Sequence, residues 1–266
     1  MMHDRKPRTA EVHGALWGAR ARDWAELQEV QNRPVFVAAF EQMGLQPGAT
    51  YLDVGCGSGL AVQIAAARGA TVAGLDASPN LIAIARERTP TGEFHTGDLE
   101  SLPFEDRTFD FVTGFNAFQF AGNPGLALRE ARRVAKPGAQ VLIMTPGNPE
   151  ERQVAILLTA LQPLLPPPPH GAPGPFALSD ETALRAFAAG ASLAPTELFD
   201  VGCHWIYPGL SIAQRGLRSS GLAARAVANA SEDAVYAAQE HALQPFRQAD
   251  GSYVVPVTYR CLLARA

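Results

Sequence analysis

The sequence predicts an α/β fold in which a mostly parallel sheet carries helices on both faces. Three observations lead there. Short apolar runs alternate with helix-length stretches from Thr50 to Thr145, the order that builds a parallel sheet covered by helices. Gly55, Gly57 and Gly59 stand between the first apolar run and the helix after it, where glycine permits a sharp turn and close ligand approach. Helix boundaries carry their own punctuation, Ser78-Pro79 at a start and Lys136-Pro137-Gly138 at an end, matching the cap and breaker chemistry of helix termini. With 47% hydrophobic residues in 266, the chain can bury a sizeable core and is not globally disordered.

The elements follow in order. Residues 1–12 are polar and expected to fray, and Met1 to Arg8 lack the apolar stretch of a signal peptide. Arg20 to Gln31 and Pro34 to Met43 read as helices, the second opened by proline and closed by Gly44. Strands are expected at 50–54, 71–75, 93–96, 109–115 and 140–145, with helices at 60–68, 79–88 and 124–134 between them. A helix is expected from Glu150 to Leu165. Pro166–Pro169 then opens a Pro/Gly-rich stretch to Pro175 that is polyproline-like or irregular, either a plain connector or a lid. A helix at 180–189, a strand at 197–205, a helical insert over about 211–246 and a closing strand at 253–263 complete the chain.

Bulk properties narrow the function. A net charge of −4 and a pI near 5.9 argue against affinity gained by neutralising many phosphates. Cys56, Cys203 and Cys261 are too scattered for a disulfide framework or a zinc site. No apolar run approaches the ~20 residues of a membrane helix, so a soluble cytoplasmic protein is expected.

The chemistry centres on Asp53-Val54-Gly55-Cys56-Gly57-Ser58-Gly59. The dinucleotide fingerprint requires glycine or alanine at the sixth position, but Leu60 and Val62 stand there in the two possible frames. Asp53 at the loop entrance would repel a pyrophosphate. S-adenosylmethionine, which brings an ammonium and a sulfonium, suits that carboxylate better. Asp76, at the end of the second strand and 21 residues past Gly55, can accept from ribose hydroxyls, a device NAD proteins share. Asp98 follows the third strand and can accept from an adenine amino group, with the Leu99 amide beside it. Three acids at successive strand ends lie where ligands of open α/β sheets bind.

Four blocks then resemble the class I S-adenosylmethionine-dependent methyltransferases, in particular the ubiquinone/menaquinone C-methyltransferase-like type 11 group. They are Tyr51 to Gly59, Gly74 to Ser78, Gly97 to Phe104 with Phe109-Asp110, and Arg133 to Gly138, over residues about 45–146. The family's second glycine after Lys-Pro-Gly is Ala139 here. The resemblance implies a Rossmann-like three-layer sandwich, with a seven-stranded sheet whose last strand is antiparallel and a helical substrate cap. It implies one domain over 1–266, with core at about 45–146 and 179–266. Helices at 13–44 and inserts at 150–178 and 208–248 would form the cap. It assigns Asp53, Gly55, Cys56, Gly57, Ser58, Gly59, Asp76, Ala77, Asp98, Leu99 and Asn116 to the cofactor. Gln119 and Phe120 fall to the substrate pocket, with no metal.

Trp17 and Trp24 are candidates for the substrate side of the site, where they can pack near the sulfonium, or they simply staple an N-terminal helix to the sheet. Trp205 can line the substrate pocket, and His204 is the one weak catalytic candidate beside a structural alternative. His13 and His241 rank lower. Arg129, Arg132, Arg133 and Lys136 read as a solvated face. A short-chain oxidoreductase is excluded by its missing Tyr-x-x-x-Lys, since Met2 precedes Lys6 and Arg132 precedes Lys136 at that spacing. Methyl transfer to a small-molecule N, O, S or C nucleophile, releasing S-adenosylhomocysteine, is the expected activity. A non-catalytic S-adenosylmethionine-binding regulator is the alternative. Neither nucleic acid nor membrane is expected as a partner, and the oligomeric state stays open.

Overall fold

Among the described residues, seven strands form one sheet: β1 Thr50–Val54, β2 Thr71–Asp76, β3 Glu93–Thr96, β4 Phe109–Phe115, β5 Ala135–Pro146, β6 Ala194–Tyr207 and β7 Tyr253–Arg265. The computed structural model describes residues 9–147, 154–167 and 176–266. Strand order is β3-β2-β1-β4-β5-β7-β6. The first five strands pair in parallel, and β7 runs antiparallel to both β5 and β6, as expected for the last strand.

Alternation along the strands divides the core in two. Tyr51, Leu142 and Met144 face one side, with Phe40 and Val62 from the covering helices. Leu52, Val141 and Ile143 face the other, with Leu128 and Leu184. Leu52 is completely buried, and burial of one such side chain stabilises the fold by about 1.5–3 kcal/mol. Helices α3 Arg33–Met43, α4 Leu60–Ala67 and α5 Pro79–Arg88 cover the first face. Helices α6 Pro124–Val134 and α8 Glu181–Gly190 cover the second. The sequence places their starts well: Ser78 Oγ accepts from Leu81 N, Asn123 Oδ1 from Leu126 N and Asp180 Oδ1 from Ala183 N. Each cap contributes on the order of 1 kcal/mol.

The N-terminal region differs from expectation. Helix α1, Thr9–Gly18, occupies part of the stretch read as frayed. No strong apolar stripe marks it in the sequence, because it is held by backbone approach instead. A Cβ at Gly14 would stand 2.3 Å from the carbonyl oxygen of Ala77, and one at Gly18 2.4 Å from Ser78 Oγ. The single helix expected over 20–31 is a short turn α2 (Ala21–Asp23), a π-helical turn Trp24–Gln28 and a 3-10 turn Glu29–Asn32. β5 starts five residues early, because Ala135 pairs with Phe109 before an irregularity between Phe109 and Phe111.

The helical insert between β6 and β7 is three helices, α9 Leu210–Arg218, α10 Gly221–Asn229 and α11 Glu232–Leu243. Ser220 and Ser231 cap α10 and α11. Helix α7, Ala155–Leu161, joins them through Leu161, Ala223, Ala226 and Val235. Residues 150–153 of the expected helix, residues 168–175 of the Pro/Gly-rich stretch and the N-terminal residues 1–8 lie outside the described residues.

Candidate active site

A cavity of about 270 Å³ opens along the carboxyl ends of the parallel strands, roofed by α1, α7 and the insert. Its floor begins where β1 ends. The chain turns there with Gly55, Gly57 and Gly59 at φ 79°, 54° and 81°, and Gly55 N and Cys56 N donate to the Leu75 carbonyl at 2.7 and 2.9 Å. Gly59 answers two demands. Its backbone is left-handed, and a Cβ there would sit 2.8 Å from Ala85 Cβ of α5, so the loop and α5 close only on glycine.

Three carboxylates converge behind and beside this loop. Asp53 is buried, and its Oδ1 accepts from Thr113 Oγ1 at 2.7 Å. Burial pushes its carboxyl up to about 7; the Thr113 bond opposes this, and the charges of Glu29 and Asp76 add to it. Asp76 Oδ2 accepts from Gly57 N at 3.0 Å and Oδ1 from Ser78 N at 2.8 Å. Burial raises Asp76 to about 6 against those two amides. An ionised carboxylate has about four acceptor sites, so each oxygen keeps capacity for a ligand hydroxyl.

Glu29 is the third, and sequence reasoning missed it. It accepts from Ser58 N at 3.1 Å, from the Ser58 hydroxyl and from Arg88 Nη1. Burial raises its carboxyl, opposed chiefly by the Arg88 charge. Arg88 also donates to the carbonyls of Ala25 and Ser58 at 2.7 and 3.0 Å, so one guanidinium ties the π-helical turn, the glycine loop and α5 together. In the sequence Glu29 is one acid in a helical segment, 59 residues from Arg88, and nothing local marks it.

The cavity wall brings together Asp53, Gly55, Cys56, Gly57, Asp76 and Ala77 with Asp98, Leu99 and Asn116. Asp98 Oδ1 accepts from Glu100 N at 3.0 Å. Asn116 has a left-handed backbone, φ 55°, and its side-chain oxygen accepts from the Gln119 amide. Ser58 and Gly59 do not reach the wall: Ser58 is turned to Glu29 and Gly59 to α5. Of the residues expected on the substrate side, Trp17, Trp24, Gln119, Phe120 and Trp205 all line the cavity. Trp17 meets Trp24 edge-on at 4.9 Å and Phe120 at 5.6 Å. Trp24 Nε1 is buried without a hydrogen-bond partner, 3.4 Å from where a Gly57 Cβ would stand. Trp205 Nε1 donates to Asn32 Oδ1 at 3.0 Å, which also receives the Tyr259 hydroxyl at 2.9 Å.

His204 requires correction. Along edge strand β6 side chains alternate, Cys203, Trp205 and Tyr207 turn inward, and His204 faces out, exposed and off the cavity wall. His13, ranked below it, does line the cavity against Phe120, and burial followed by the charge of Arg225 lowers its pKa. Three of the four basic residues expected as a solvated face have partners: Arg133 with Glu130 and Asp106, Lys136 with Asp110 and Arg132 with the Ser192 carbonyl. None of them lines the cavity.

Comparison with known proteins agrees with this geometry. Residues 52–143 match the methyltransferase domain family of type 11. The malonyl-acyl-carrier-protein O-methyltransferase of Erwinia pyrifoliae is 38% identical over 131 residues, 49% of this chain and 50% of the relative. The demethylmenaquinone methyltransferase of Chlorobaculum parvum is 40% identical over 111 residues, 40% of this chain and 46% of the relative. The chain thus spans about half the length of the curated relatives it matches. A methyltransferase structure from Bacillus halodurans superposes with a TM-score of 0.58 at 18% identity, over 86% of this chain and 97% of the other, which speaks to the fold. The glycine loop, the acids at the strand ends and the β7 reversal thus accompany a type 11 methyltransferase domain match over residues 52–143, the segment in which this chain is similar to the S-adenosylmethionine-dependent methyltransferases.

Proposed function

We propose that the protein transfers the methyl group of S-adenosylmethionine to a small-molecule nucleophile and releases S-adenosylhomocysteine. One observation carries this reading: the charged residues on the described cavity wall are acids, Glu29, Asp53, Asp76 and Asp98, with no lysine or arginine among them. A pyrophosphate would meet repulsion there. Burial holds Asp53 and Asp76 above the ordinary carboxylate range, with the charge of Glu29 adding to both, and a cationic, phosphate-free nucleoside favours their ionised forms.

When bound, S-adenosylmethionine supplies a methyl group already activated by the sulfonium. The residues of the chain bind, orient and exclude water. In this reading Asp76 accepts from the ribose hydroxyls with the lone pairs left by Gly57 and Ser78. Asp98 and the Leu99 amide hold the adenine edge, and Gly55 and Gly57 let the backbone approach. The unpartnered Trp24 Nε1 donates to the amino-acid carboxylate, for which the described wall offers no guanidinium. Trp17, Trp24 and Phe120 close one side. We read residues 1–266 as one catalytic unit acting in the cytoplasm without a metal, with the 13–44 helices and the two inserts as cap.

The test is mass-spectrometric detection of S-adenosylhomocysteine after incubation with S-adenosylmethionine and a metabolite extract. Product formed only when the extract is present supports an enzyme. Tight binding with no turnover in any extract would instead make the chain a regulator.

A further inference from the structure

The two ends of the cavity differ in chemistry because they lie on different halves of the sheet. The acids follow β1, β2 and β3. The other end lies over β5, β7 and β6, where Met144, Val257 and Trp205 face Leu158, Leu217 and Leu222 from the roofing helices. No charged side chain of the described residues lines that half.

Polar side chains on the wall such as Gln28, Asn32, Ser220 and Tyr259 are hydrogen-bonded within the protein. Gln119, whose Oε1 has no partner, follows β4 rather than this half. One polar group of the insert stands apart from them. On α11 the buried stripe runs Val235, Gln239, Ala242, Leu243, the i, i+4, i+7, i+8 spacing of a helix face that packs inward. An aliphatic residue belongs at the second position. Gln239 is 2% exposed, lines the cavity, and its Oε1 has no hydrogen-bond partner. Leaving a buried carbonyl oxygen unpaired is costly, and a ligand donor in the cavity would remove that cost.

Building on the methyltransferase reading, we propose that this half of the cavity takes an uncharged, largely apolar acceptor bearing a hydroxyl or amino group, and that Gln239 selects it by accepting its hydrogen. A carboxylate or phosphate acceptor would be buried there without a counter-charge, which is strongly unfavourable. Gln239 is thus a specificity-determining residue placed by the insert, outside the segment shared with the type 11 family.

The experiment is equilibrium dialysis of the whole protein, saturated with S-adenosylhomocysteine, against three probes of one skeleton: 2-naphthol, naphthalene and 2-naphthoate. The proposal expects 2-naphthol to bind about tenfold or more tighter than either of the others, the size of one well-formed hydrogen bond in a dry site. Gln239→Met, close to isosteric, should erase the preference of 2-naphthol over naphthalene while naphthalene binding persists. Leu158→Arg should bring 2-naphthoate into the cavity by supplying the missing cation, and this variant tests the wall independently of Gln239. Equal retention of 2-naphthoate and 2-naphthol by the natural protein, retention of none of the three, or an unchanged hydroxyl preference in Gln239→Met would overturn the proposal. Failure to retain S-adenosylhomocysteine in the same cells would overturn the underlying reading instead.

Discussion

Lowering the pH should weaken S-adenosylmethionine binding steeply, because the ligand is cationic and the carboxylates beside it hold their protons unusually tightly. Asp53 titrates at about 7 and Asp76 at about 6 in the free protein. If both must be ionised in the complex, the fraction of competent protein falls by about 10-fold per pH unit below each value. Between pH 8 and pH 5 the two together give a loss on the order of 10³ in affinity, an upper bound because the sites interact. The sign for stability is opposite. A carboxyl whose folded value lies above its unfolded one binds more protons when folded, so the free protein gains stability as pH falls from about 7 towards 4. For Asp53 alone, the rise from the ordinary carboxylate value to about 7 corresponds to about 4 kcal/mol at the limit. Calorimetric titration at pH 5, 6, 7 and 8, in buffers of different ionisation enthalpy, would read both affinity and protons released. A dissociation constant flat from pH 5 to 8, or proton uptake on binding, would show that these carboxylates do not face the cation.

Other substitutions separate the parts of the site. Trp24→Phe should weaken S-adenosylmethionine binding about tenfold without lowering the unfolding midpoint, since Nε1 has no partner in the free protein; a stability loss with unchanged affinity would assign Trp24 to packing alone. Glu29→Gln removes one partner of a buried pair and leaves Arg88, 18% exposed, uncompensated. Urea unfolding should show a loss of about 3 kcal/mol, and a change under about 1 kcal/mol would mean the pair does not anchor the loop. Gly59→Ala forces a Cβ against Ala85 in a left-handed backbone, so it should cost at least ~1 kcal/mol of stability and most of the cofactor affinity. Unaltered binding would show that the loop tolerates displacement.

The sheet half that carries the acids was legible because its signals are local. Strands β1 to β4 and the helix starts at Ser78-Pro79 and Pro124 follow from neighbouring residues alone, and three of the acids sit where the first three of those strands end. Legibility ends where tertiary contact decides. Helix α1 is defined by what approaches Gly14 and Gly18, partners 60 residues or more away. The 21–32 segment breaks into α, π and 3-10 turns that aim Trp24 and Glu29 at the glycine loop, and no periodicity announces that. His204 and Trp205 are adjacent in sequence, and only the pairing of β6 with β7 says which faces inward. Gln239 looks like any polar residue in a helical insert until its neighbours on the buried stripe are known.

The assignment of the cavity to S-adenosylmethionine rests most heavily on Asp76, so calorimetric titration of that ligand into the natural protein and Asp76→Ala at pH 8 is the decisive measurement. Asp76 touches both the glycine loop, through Gly57 N, and the turn into α5, through Ser78 N, and it is the group read as the ribose acceptor. Binding to the natural protein with a loss of about tenfold or more in Asp76→Ala is the expected result. An unchanged dissociation constant in the variant, or no binding to either protein, would contradict the assignment.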